Sequence, residues 1–177
     1  MQLKKRHGMS GIPAVHSACP LQFAPCLPGP ERLVALGFRY WMRGRMIGNV
    51  ACWERAWNLY SGIFGVVGAR LAVSSLSAWV TALSASSLRE IEVFPEDCRS
   101  FCRDECIAVS MIAACQHHTC PAMRACAFAL VESSVIDGVV THARTFADTM
   151  AGLDQILSPG SIVSAPVAAA PASRLLQ

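Results

Sequence analysis

Residues 97–116 read DCRSFCRDECIAVSMIAACQ, with Cys98, Cys102 and Cys106 four residues apart. The spacing predicts a helix over this stretch, opened by Glu96 and Asp97, whose charge favours a helix start. At about 100° per residue the three cysteines fan across roughly 80° of the helix surface. Phe101, Val109, Ile112 and Ala113 project onto the same face, and Arg99, Arg103 and Ser110 onto the opposite one. This is the face that packs, and a free cysteine behaves there as a small hydrophobe. Glu105 falls on it too, and a buried carboxylate needs a partner, a proton or a metal.

A sharper chemistry competes with packing. Thiolates at i and i+4 can reach one ion, and the next connection adds further ligand types. The candidate metal set is Cys98, Cys102, Cys106, Cys115, His117 and Cys120, with zinc as the ion, and a thiol-redox role rests on the same residues. No CxxC occurs in the chain, so zinc-finger and iron–sulfur spacings are absent. His117 and His118 stand where the helix ends and suit its exposed carbonyls. A dyad of Cys126 and His142 can be drawn, but nothing in the spacing positions the pair.

Working outward, Pro30 and Glu31 open a helix ERLVALGFRYWMRGR, which Gly44 and Gly48 weaken. Asn49 is an N-cap for VACWERAWNLYSGIFG, where Trp53, Trp57, Tyr60 and Phe64 form an aromatic stripe at helical spacing, read as core. Gly65 and Gly68 interrupt it before a serine-bearing helix runs to about Ser86. There Val73, Leu76, Val80 and Leu83 oppose Ser74, Ser75, Ser77, Thr81 and Ser84. LREIEVF, residues 88–94, alternates polar and apolar and reads as a short extended piece with Glu90 and Glu92 to solvent. After CQHHTCP, Pro121 starts a short helix to Glu132. Ser134 or Asp137 then opens a last one striped by Ile136, Val139, Val140, Ala143, Phe146, Ala147, Met150 and Leu153. The fold class is all-α, a bundle of five to six helices.

Three regions follow from composition. Residues 1–30 read as a disordered leader, 31–157 as a single helical domain, and 158–177 as a disordered Ala/Pro tail. The leader's basic start is followed by four prolines and His16, which makes a poor signal-peptide core. Nine cysteines then indicate a reducing, cytoplasmic setting with free thiols. The chain is 53% apolar and 15% charged, so extensive surface must be buried within the fold or between subunits.

Charge is divided along the chain. Residues 31–70 carry six arginines and two acids, whereas 89–157 carry five arginines and ten acids. Such halves pair within one chain or between chains. A nucleic-acid binder shows one basic face instead. Residues 61–88 are long enough to span a membrane, but Arg70 and the serine face favour a half-buried helix.

No phosphate-cradling glycine loop, GxSxG elbow, HExxH or kinase set is present. The stretches ACWERAWNLYSGIFGVVGARLAVSSLSAWV, FCRDECIAVSMIAACQHH and CPAMRACAFAL resemble small helical proteins of alphaproteobacteria that carry no known activity. The likeness covers residues 31–157 and implies a soluble bacterial helical domain, with no site residue to transfer. The expected function is therefore non-enzymatic, through a protein partner or a homo-oligomer and without a cofactor. A zinc or redox protein is the alternative, and DNA binding through Arg39, Arg43 and Arg45 the weaker one.

Overall fold

The computed structural model describes residues 29–162, and the expected leader up to residue 28 and the tail beyond 162 lie outside them. Five helices follow in order: α1 Pro30–Ile47, α2 Val50–Ser86, α3 Arg103–Gln116, α4 Cys120–Val131 and α5 Asp137–Gly152. A 3-10 turn, Pro159–Ser161, closes the described chain, and no strand is present among the described residues. The protein is an all-α bundle.

Local chemistry explains the boundaries. Pro30 occupies the first turn of α1, where its missing N–H costs nothing. Asn49 caps α2 by accepting from Ala51 N at 3.0 Å, as its position predicts. Inside α2, Gly65 has φ 68° and ψ −178°, a left-handed break that divides the expected aromatic and serine-bearing halves. The second half turns Ala69, Ala72, Leu76, Trp79, Val80 and Leu83 inward.

The central helix is α3, which packs against α1, α4 and α5, while α2 closes the other side against α1 and α5. Its residues Asp104–Cys115 are all buried, Ser110 included. The expected polar face therefore does not exist, because neighbours cover the helix on every side. Trp79 of α2 joins the layers, stacked on Phe146 of α5 at 5.7 Å and tilted against Phe38 of α1 at 5.4 Å. The α5 stripe is buried from Ile136 to Met150 as its periodicity predicts.

Two boundaries differ from expectation. Residues 97–102 are not helical, and α3 begins at Arg103, so Cys98, Cys102 and Cys106 do not share a helix. LREIEVF, read as a short extended piece, runs without helix, turn or bend over residues 90–94 and pairs with no strand among the described residues. Residues 158–162 belong to the fold: Ser158 N and Ser161 Oγ donate to Glu31 Oε1 at 2.7 and 3.0 Å.

Gly44, expected to weaken α1, lies inside it. Its bare Cα faces the Trp53 indole, where a Cβ would come within 2.5 Å of Nε1. One face of α1 thus admits aromatic rings from α2 at Gly37 and Gly44, and Tyr60 lies over Gly37. A methyl at Gly37 falls on the buried Tyr60 ring and hydroxyl, and Gly37→Ala is expected to destabilise by ~1–3 kcal/mol in urea unfolding. Gly62→Ala, which meets open space, is the control and is expected to be neutral or stabilising by up to ~1 kcal/mol.

Candidate functional site

The densest polar chemistry lies where α1 meets the start of α3. Arg39 and Glu105 are both fully buried. Arg39 Nε donates to Glu105 Oε1 at 2.7 Å and Nη2 to Oε2 at 2.9 Å. Its remaining donors reach backbone: Nη1 to Cys98 O at 2.6 Å and, more weakly, Pro95 O at 3.5 Å, and Nη2 to Ser100 O at 2.6 Å. Glu105 also accepts from Phe94 N at 3.1 Å and from Cys102 N at 2.8 Å. A guanidinium has five N–H donors and a carboxylate about four acceptor positions, so this pair is saturated. Phe101 covers it, with the guanidinium carbon 4.9 Å from the ring centre.

This arrangement explains the late start of α3. The carbonyls of Cys98 and Ser100 point at Arg39 rather than along a helix, and Glu105, in the first turn, reaches back to the Cys102 amide. Beside it Asp104 holds Arg89 in a two-pronged pair, both contacts 2.7 Å, and accepts from Glu92 N at 2.8 Å. Glu96 takes Arg55 at 2.5 Å and the Cys52 thiol at 2.9 Å. The basic and acidic halves of the sequence thus meet within one chain.

The six candidate ligands are not gathered. Cys98 is half-buried, and Cys102 is buried with Sγ donating to Glu92 O at 3.1 Å. Cys106 is disulfide-bonded, against the expectation of free thiols, and the six other described cysteines are free. Cys115 is buried in the last turn of α3. His117 is the C-cap residue of that helix through its backbone, while its ring Nε2 lies 2.8 Å from Leu157 O, beyond α5, and Cys120 is exposed with its sulfur 3.7 Å from Arg144 Nη2. Among the described residues no three His, Cys, Asp or Glu side chains are placed to hold a metal ion.

Burial, the largest cause for each, pushes the Cys102 and Cys115 thiols up to about 12 and raises those of Cys52 and Cys126. At neutral pH these four stay protonated and supply no nucleophile. Cys126 donates to Ser110 Oγ at 3.5 Å, whereas His142 lies on the exposed side of α5.

The chain matches no family model, no curated protein and no solved structure. Roles therefore rest on geometry alone. The Arg39–Glu105 centre is sealed from solvent, so no substrate reaches it and its work is structural. It also removes Arg39 from any phosphate-binding face.

The sequence reading foresaw that Glu105 needs a partner but missed Arg39, grouping it with Arg43 and Arg45. The signal was present: Arg39 follows Ala35 by four residues and adjoins Phe38, on the apolar face of α1. Arg39→Ala or Glu105→Ala each strands a buried charge and is expected to cost ~3–5 kcal/mol in urea unfolding. The double variant is expected to cost about as much as either single one, because the pair acts as a unit. Additive losses contradict that coupling.

Proposed function

We propose that the protein acts without catalysis, by self-association through an apolar stripe on α2. The observation that carries this reading is the exposure of Ile63, Val66, Val67 and Leu71, at 52, 61, 76 and 55%. Arg70 is the one charge among residues 63–71. Ile63 also lines a hollow of about 360 Å³ with Leu33, Leu36 and Leu59, so the apolar surface continues from the stripe towards α1. Ile63 precedes the break at Gly65 and the other three follow it, and large apolar side chains exposed this close together mark an interface more often than singly scattered ones.

α2 is the one described helix long and apolar enough to cross a membrane, with a mean hydropathy of 1.6 over its best window and a third of that window buried. Its inner face packs against α1 and α5 through Trp79, Leu76 and Ala72, which favours a bundle helix with one open side. The divided charge of the sequence gives self-association little support, since Arg39, Arg43 and Arg55 of the basic half pair with Glu105 and Glu96 of the acidic half within one chain. A cytoplasmic setting is part of the proposal and draws on the six free thiols, while the bonded Cys106 counts against it. The likeness to alphaproteobacterial helical proteins adds an expected source and no activity.

Light scattering on the eluting full-length protein is expected to give a dimer mass that falls to the monomer in Val67→Glu, with helical content unchanged. A wild-type monomer at every concentration, or wild-type protein that floats with lipid vesicles while remaining monomeric, contradicts the reading.

A further inference from the structure

The segment between α2 and α3 has one edge occupied and one edge open. Residues 90–95 run without helix, turn or bend. Glu92 N donates to Asp104 and Glu92 O accepts from Cys102 Sγ, while Phe94 N donates to Glu105, so the backbone groups of residues 92 and 94 that are bonded here face α3. In an extended chain successive residues turn their N–H and C=O to opposite edges. Those of Ile91 and Val93 therefore face away from α3, and they have no partner among the described residues. This is the unpaired edge of an extended segment held in place by carboxylates instead of by a sheet, with the Ile91 side chain turned into the core, that residue 5% exposed, and Val93 half-buried.

Two hollows of about 210 and 300 Å³ lie along the segment and share Met46, Glu90 and Ile91. Met42, Ser84, Ser87 and Arg89 complete the first, which is mixed in character, and Glu92, Val93, Phe94 and Pro95 the second, which is mainly apolar. Alternate side chains of an added strand stand roughly 6–7 Å apart on one face, which suits two neighbouring hollows that both carry apolar side chains. Glu90 and Glu92 are exposed and make no ion pair among the described residues.

We propose that Glu90–Phe94 is a docking edge for an extended segment of a partner protein that alternates apolar with basic residues. The backbone of Ile91 and Val93 supplies the pairing, the hollows take the apolar side chains, and Glu90 and Glu92 select the cations. A second copy of the same edge is disfavoured. Antiparallel pairing about Ile91 sets Glu90 against Glu92, and like charges directly opposite repel. This surface is distinct from the α2 stripe, and its test reads amides rather than mass, so the two readings fail separately.

The probe is a hexapeptide alternating lysine with isoleucine or valine, blocked at both ends and added to the full-length protein. Amide hydrogen exchange at Ile91 and Val93 is expected to slow with saturating dose. The same peptide N-methylated on its pairing amides is expected to have no effect. Glu90→Lys with Glu92→Lys is expected to weaken the lysine peptide by about tenfold or more and to gain binding of the glutamate counterpart. No slowing at millimolar peptide, equal binding of the N-methylated peptide, or indifference to the charge reversal overturns the proposal. Two further results also overturn it. Protection without peptide that grows with protein concentration assigns the edge to a second copy, and protection independent of concentration assigns it to the chain itself.

Discussion

Two buried charges, Arg39 and Glu105, set the arrangement of everything between α2 and α3. Taking them from water costs several kcal/mol per ion, and the cost is offset only where every donor and acceptor is matched. Here the matching is done largely by backbone: the carbonyls of Cys98 and Ser100 and the amides of Phe94 and Cys102. The pair therefore fixes a path for the chain as well as a contact between helices. Residues 87–102 form a connection beyond the roughly 12–15 residues above which unstructured links are uncommon in compact domains, and side-chain charges replace the ladder that a strand would have.

The same constraint reaches outward. With Glu105 turned back to the Cys102 amide, α3 starts at Arg103 and not at residue 97 as its sequence suggests, and Asp104 beside it is aimed at Arg89 and the Glu92 amide. One edge of residues 90–94 is thereby consumed and the other left open. On the far side of the molecule α2 packs through one face and exposes Val66, Val67 and Leu71 on another. The Arg39–Glu105 pair is thus fully buried, while these α2 side chains stand in the open.

Much of the fold was legible in the sequence because periodicity reports burial of a face. The stripe of α5, the Asn49 cap and the break at Gly65 each follow from a local rule. What stayed hidden depended on residues distant in sequence. Nothing near position 98 announces that an arginine 59 residues earlier will take its carbonyl, so periodicity alone carries the helix back to residue 97, nearly two turns too far. Ser110 was read as outward because an amphipathic projection assumes one open side, and α3 has none. Nor do the candidate ligands converge: at Cys98, Cys102 and Cys106 a regular spacing crosses a helix boundary, and spacing implies a shared face only within one helix. The exposed α2 stripe was within the segment singled out as half-buried, but which residues remained open was decided by α1 and α5.

Native-state hydrogen exchange of the Phe94 and Cys102 amides tests most directly whether the buried pair holds this segment. Both donate to Glu105 from outside any regular element. If the pair is the clamp, they exchange only through global unfolding, with the same free energy and denaturant dependence as the amides of Val109 and Ile112 at the centre of α3. Exchange as fast as an exposed loop, while α3 stays protected, would contradict that account and leave the Arg39–Glu105 pair a contact between two helices.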